Sequence, residues 1–304
     1  MPSDESLTRS CVTLHVLSAF TDGDTGGNPA GVVLDAAALT EAQMQAIAAQ
    51  AGLSETAFVA PLADGDFRLD FFTPTRRIAD CGHATVAAFA LLHDLGRVGV
   101  GDTAKKVVDG RRRVTVSPDG AIFMEMRAPR YQAAGDWVGV DLGEVLAALG
   151  IGREMLDPRV DPVIADAGGP FLTLALRHQR DLAAIAPDQG AILSISERLN
   201  LTGIYAYVLD PAPGRVATTR MCAPRFGRPE ERATGLAAGA LGAVLHDMCG
   251  RPGPVVLIEQ GRHMSPPSPS LLDVRLALKD GRVSAITTGG RAVLRSARCI
   301  ELPS

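Results

Sequence analysis

A thiol and an imidazole stand on either side of a glycine in RRIADCGHATVAAFALLHDLG, residues 76 to 96. There Cys81, Gly82 and His83 open a long run of small apolar residues. A thiol at a helix N-terminus can serve as a base; in the same place a cysteine can also be a small buried structural residue. His83 is able to hydrogen-bond or protonate a ligand, or to cap and pack the first helical turn. Upstream, Glu55 lies in SETAFV, a predicted strand that puts Ala57 and Val59 on the same face. A carboxyl on an apolar face holds its proton to higher pH, which suits proton transfer near neutrality. The alternative is an edge-strand glutamate turned to water. Glu231 offers another acid, or a surface partner for Arg228 or Arg232.

These groups must be positioned by a scaffold, and the scaffold repeats. Shifted by 153 positions, CGHATVAAFALLHD (81–94) lies over TGLAAGALGAVLHD (234–247) with seven of fourteen residues identical. GGNPAGVVL (26–34) resembles GGPFLTLAL (168–176), and QAGLSETAFVAP (50–61) resembles RLNLTGIYAYVLDP (198–211), in the same order. Two homologous halves follow, 1–127 and 128–304. Each reads as strand, Gly-Gly turn, strand, helix, two strands and a final helix. In the first half Thr40 and Gln43 form a predicted capping box and Gly52 ends that helix. Strands are expected over 54–60 and 67–72. The final helices, starting near Gly82 and Gly235, are apolar on every face and so buried on all sides. The expected architecture is α+β: two pseudo-symmetric domains, each a barrel-like mixed sheet curled around a central apolar helix.

The start of a buried helix presents unpaired N–H groups and positive dipole, a place for a carboxylate or phosphate. Facing halves would bring two such starts, at Cys81-Gly82 and Thr234-Gly235, to one cleft for a small anion. The halves differ in their ionisable groups. Cys81 and His83 stand where the second half has Thr234 and Leu236, and Glu55 stands where it has Gly203. A two-base racemase needs a group on each face of one carbon, and the second thiol is missing. A single acid–base residue fits better. His93-Asp94 and His246-Asp247 recur in both halves and are read as scaffold.

Composition narrows the partners. The 304 residues are 46% hydrophobic, 21% charged and 4% aromatic, with formal net charge −4. That gives no basis for nucleic acid or an anionic membrane as partner. The five cysteines, Cys11, Cys81, Cys222, Cys249 and Cys299, form no C-x-x-C pair, so neither a disulfide framework nor a zinc knuckle is expected. MPSDESLTRS lacks an apolar signal core, and no stretch has the roughly 18 charge-free apolar residues of a span. A protein of a reducing compartment, the cytoplasm, is expected. DGDTGG (22–27) faintly resembles a calcium loop, but Val33 stands where the bidentate acid belongs, so it reads as a Gly-rich turn and no metal is expected.

The segments FTDGDTGGNPAGVVLDA, LSETAFV, FFTPTRRIADCGHATVAA, ATGLAAGALGAVL, IEQGRHM and GGRAVL occur in the order found in the phenazine-biosynthesis isomerase-like (PhzF-like) family. That family belongs to the diaminopimelate epimerase and proline racemase superfamily. The resemblance spans about residue 13 to residue 295. It implies paired α/β domains with a ligand cleft between them, no cofactor, and a homodimer. It maps the family's general acid/base to Glu55, its "G-H" histidine to His83 and the first catalytic thiol of the racemase relatives to Cys81. Gly27, Asn28, Gly82, Thr234, Gly235 and Leu236 become substrate-binding candidates. Here EERATGLA replaces a motif resembling E-D-P-A-T-G-S-A, so Glu231 stands for the functional aspartate, Arg232 for proline and Leu236 for serine. SPPS replaces G-R-P-S from Ser265. The expected function is a cofactor-independent isomerase of a small carboxylated, unsaturated or cyclic metabolite. A racemase or epimerase using Cys81, and a non-catalytic binding homologue, are the alternatives.

Overall fold

The computed structural model describes residues 11–209, 214–250 and 253–302. The polar segment MPSDESLTRS lies outside them, as do Asp210 and Pro211 at the end of the second-half echo. The chain forms two compact units. The first comprises the described residues of Met1–Ala19, Pro29–Gly120 and Ala292–Ser304; the second comprises those of Phe20–Asn28 and Ala121–Arg291.

In the first unit, Asn28–Val33 and Thr56–Pro61 are parallel, with Gly31 opposite Thr56. Parallel neighbours need a crossover, and the helix Glu41–Ala51 provides it. Thr40 and Gln43 close its capping box, and Gly52 ends it at φ 66°. Thr56–Pro61 then pairs antiparallel with Phe67–Phe72, Ala57 opposite Phe71. Phe67–Phe72 pairs antiparallel with Arg77–Ile78, Phe71 opposite Ile78, and parallel with Gly101–Val107, Phe67 opposite Lys105. The helix Gly82–Asp94 lies between those last two strands in sequence. It packs on Cys11–Ala19, Thr56–Pro61 and Ala292–Glu301, strands from three parts of the unit, and every residue from His83 to Leu92 is buried.

The second unit repeats this order. Pro170–Leu176 is parallel to Gly203–Val208, with helices Gln179–Ala183 and Gln189–Arg198 between. Gly203–Val208 pairs antiparallel with Ala217–Ala223, Tyr205 opposite Met221. That strand pairs antiparallel with Arg228–Glu231, Met221 opposite Glu231, and parallel with Val255–Gln260, Ala217 opposite Ile258. The helix Gly235–Asp247 lies between them in sequence and packs on Val163–Asp166, Pro170–Leu176, Ser270–Lys279 and Arg282–Gly290. Both central helices have thirteen residues and begin at the positions related by the sequence repeat.

Following the two ladders residue by residue gives the correspondences. Ile78 matches Glu231, Phe71 matches Met221, Glu55 matches Gly203 and Lys105 matches Ile258. The two acids therefore occupy different places in the repeat. The strand expected over 54–60 begins at Thr56, so Glu55 sits at its entrance rather than inside it. The carbonyl of Glu55 accepts from the N–H of Gly31 at 2.9 Å, which ties that entrance to the neighbouring strand.

The recurring histidine–aspartate ends are structural. His93 Nδ1 is 3.1 Å from the Val98 carbonyl, and Asp247 accepts from the Tyr131 hydroxyl at 2.8 Å. DGDTGG is a turn in which Asp22 and Thr25 exchange backbone hydrogen bonds. One expectation needs correction: Cys11 and Cys299, 288 residues apart, form a disulfide. They lie on antiparallel strands where Thr13 faces Cys299, a proximity that cysteine spacing does not encode. No helix among the described residues is long and apolar enough to cross a membrane.

The small residues are required by close packing. A Cβ on Gly289 would collide with the backbone carbonyl of Ile122 on the paired strand, which cannot move away as a side chain can. Gly289→Ala should lower unfolding free energy by about 2 kcal/mol. Gly99→Ala, where a Cβ meets open space, should stay within about 0.5 kcal/mol of the parent. Urea denaturation checks both, and equal effects would contradict this packing.

Candidate active site

The first unit brings Glu55, Cys81 and His83 together. The central helix begins at Gly82 with Cys81 as its extended cap residue, so His83 falls in the first turn. Glu55 reaches it from the entrance of the strand Thr56–Pro61. Glu55 is 1% exposed, His83 6% and Cys81 8%. His83 Nε2 lies 3.1 Å from Glu55 Oε2. The carboxyl is thus held out of water beside the imidazole.

Cys81 Sγ is 3.5 Å from His83 Nδ1 and 4.0 Å from Nε2. A sulfur in line with one nitrogen's lone pair would be much farther from the other nitrogen. The thiol therefore lies against the ring rather than at the end of either lone pair. One donor atom from each of the three side chains lies within 4.8 Å of the others, close enough to hold a metal ion.

Behind Cys81 lies a polar group that its sequence position does not announce. Lys105 is 2% exposed. Its ammonium pairs with Asp80 Oδ1, donates to Thr85 Oγ1 at 2.8 Å, and sits 5.3 Å from the centre of the Phe71 ring. Burial pushes this ammonium below the ordinary lysine range, and Asp80 works against that shift. Asp80 Oδ1 also accepts from the N–H of Cys81 at 2.7 Å, and Thr85 Oγ1 donates to the Cys81 carbonyl at 2.6 Å. In sequence, Lys105 is followed by Lys106 in GDTAKKV, which reads as a solvated strand.

In the second unit, Asn28, Glu231 and Thr234 join one network. Glu231 is buried and pairs with Arg228, so the pair is not the surface one that its sequence position suggests. Its Oε2 is 3.4 Å from both Asn28 Nδ2 and Thr234 Oγ1. Asn28 Nδ2 also donates to the Ala233 carbonyl at 3.0 Å. Gln260 completes the group: Oε1 accepts from the Thr234 N–H at 3.1 Å, and Nε2 donates to the Glu231 carbonyl at 2.8 Å and to Thr234 Oγ1 at 3.1 Å. Tyr205 also donates to Gln260 Oε1 at 3.0 Å. In the sequence Gln260 lies within IEQGRHM, and a lone glutamine ending a strand carries no chemical signal. Gly27 uses its backbone internally, donating to Ser270 Oγ at 3.2 Å and accepting from Ser268 Oγ at 2.9 Å. Gly235 is buried, with Phe20 and Thr288 where a Cβ would go. Leu236 is exposed beside Gly168.

This sheet-around-helix plan, repeated in two units, defines the fold class. Solved structures share the fold. A Bacillus anthracis protein of the PhzF family aligns at TM-score 0.87 and 24% identity, covering 96% of this chain and 100% of that one. A predicted epimerase from Pseudomonas aeruginosa aligns at TM-score 0.75 and 25% identity, covering 97% and 100%. A probable proline racemase from Agrobacterium radiobacter shares the fold at TM-score 0.62 and 14% identity, covering 96% and 93%. The model of the phenazine biosynthesis-like protein family matches residues 17–298. An uncharacterized isomerase of Escherichia coli K12, YddE, is 32% identical over 291 residues, covering 92% of this chain and 95% of its own. An uncharacterized isomerase of Deinococcus radiodurans is 34% identical over 287 residues, covering 91% of each. The chain belongs to the phenazine biosynthesis-like (PhzF) family and is an isomerase of that family.

The thiols should differ in reactivity. Burial pushes the Cys222 thiol up to about 12, so it stays protonated and sheltered at pH 8. Cys249 is only partly buried. Iodoacetamide at pH 8 should label Cys249 and leave Cys222 unmodified in the folded protein. Peptide mass spectrometry showing Cys222 labelled as fast as Cys249 would contradict this assignment.

Proposed function

We propose that this isomerase moves a proton within a small carboxylated, unsaturated or cyclic substrate, with Glu55 removing and returning it. The supporting observation is the Glu55 carboxyl, 1% exposed and 3.1 Å from His83 Nε2. Glu55 takes a proton from carbon next to an activating group, and the electron pair left behind spreads into the conjugated system. Backbone N–H groups at the start of the helix Gly82–Asp94 and its dipole stabilise that negative charge. Glu55 then delivers the same proton to another atom of the substrate, so bonds broken and formed balance without a cofactor. His83 keeps the carboxyl oriented through both steps. Gly82, at the start of that helix, is proposed to contact the substrate's carboxylate.

The racemase reading retains one observation in its favour: Cys81 Sγ touches the His83 ring. Against it, the sulfur is not aligned with either ring nitrogen. At the corresponding helix start Thr234 is a hydroxyl engaged by Gln260 and Glu231, too weak a base to replace a thiol.

Glu55→Gln should leave the melting temperature and ligand binding nearly unchanged and lower turnover by about 10²-fold or more. Turnover within a fewfold of the parent would remove Glu55 from the mechanism. Cys81→Ala should retain measurable isomerisation; complete loss would favour the racemase reading. Candidate unsaturated cyclic and aromatic-precursor carboxylates, turned over in D₂O, provide the direct test by NMR. A shielded Glu55 should return part of the original hydrogen to a new atom. Deuterium at one inverted carbon, with no double bond moved, would overturn the shuttle.

A further inference from the structure

We propose that Lys105 is a positioning residue of the active site: through Asp80 and Thr85 it fixes the peptide of Cys81, and with it the ring of His83 against Glu55. The inference rests on the Glu55–His83 reading above and extends it to residues that never meet the substrate.

Lys105 is nearly sealed from water. An ammonium stripped of water costs more than a surface pair returns unless its partners are well placed. Its partners are Asp80, Thr85 and the face of Phe71. Asp80 and Thr85 in turn grip the two ends of one residue, taking the N–H and the carbonyl of Cys81. Cys81 is the cap of the central helix, and His83 is two residues on. A shift of that peptide moves the imidazole relative to Glu55.

The repeat shows that the fold itself does not require this group. The residue corresponding to Lys105 in the second ladder is Ile258. At the same offset of 153, Asp80 corresponds to Ala233 and Thr85 to Ala238. All three second-unit residues are buried and apolar. There the cap N–H is satisfied instead by the neutral side chain of Gln260. The cap N–H is met once by a neutral amide and once by a carboxylate that also pairs with a buried ammonium. The ion pair is on the unit that carries Glu55 and His83.

Three variants test the proposal: Lys105→Met, the double variant Lys105→Met with Asp80→Asn, and Lys105→Arg. Asparagine retains an oxygen that can accept from the Cys81 N–H, so the double variant removes both charges without leaving one unpaired. The first readout needs no substrate: the ring ¹⁵N shifts of His83 and its Nε2 proton in the NMR spectrum, assigned by loss of the signals in His83→Gln. Both methionine variants should melt at or above the parent temperature, because a buried charge has been removed. Their His83 signals should shift or broaden as the contact with Glu55 loosens. Lys105→Arg should stay closer to the parent. With a substrate in hand, kcat should fall by about 10- to 100-fold with KM little changed. A folded double variant with the parent His83 signals would overturn the proposal. So would unfolding of both methionine variants, which would make Lys105 part of the fold. If Glu55→Gln keeps its turnover, the His83 signals still decide the positioning role on their own.

Discussion

A helix packed on nearly every face along its length must find partners for the N–H groups at its start. Its first N–H groups have no partners within the helix, and an unpaired amide in the interior costs about as much as a lost hydrogen bond. Both central helices here face this constraint, and neither cap residue uses its own side chain to cap the helix. The partners for the cap N–H come from outside: Asp80 for Cys81, and Gln260 for Thr234. Much of the surrounding chemistry follows from those two choices. Gln260 draws Tyr205, Glu231 and Thr234 into one network. Asp80, being charged, pairs with a cation, and that cation is Lys105.

Duplication explains why the chemistry is uneven. The ladders of the two units match strand for strand, so corresponding positions do the same mechanical work. Where one carries an ionisable group and the other an apolar one, mechanics alone does not account for the difference. Glu55 against Gly203, Lys105 against Ile258 and Asp80 against Ala233 are such positions. Glu231 against Ile78 runs the other way. It is paired with Arg228 and lies within reach of Asn28 and Thr234, so its carboxyl is already heavily engaged. Glu55 is instead buried beside the His83 imidazole.

Much of this was legible in the sequence because it is local or repeated. The helix starts at Gly82 and Gly235, the capping box of Thr40 and the scaffold role of the His-Asp ends all depend on neighbours within a few residues. Glu55 and His83 were legible as types, and the family motifs linked them. What spacing does not carry is a contact across the sheet. Lys105 looks like one of two solvated lysines because strand alternation alone does not show that one of them points inward to a carboxylate 25 residues earlier. Cys11 and Cys299 meet only because the first and last described strands pair. Gln260 matters because a parallel ladder brings its strand beside Ala217–Ala223.

The position of Cys81 follows from the same constraint. Its backbone is held at both ends, by Asp80 and Thr85. What remains is a polarizable sulfur resting on the imidazole that orients Glu55. A thiol acting as a base in a two-base mechanism must approach the reacting carbon directly, with its lone pair aimed at the proton. A sulfur packed against the ring fills space there, so the thiol forms part of the wall around His83.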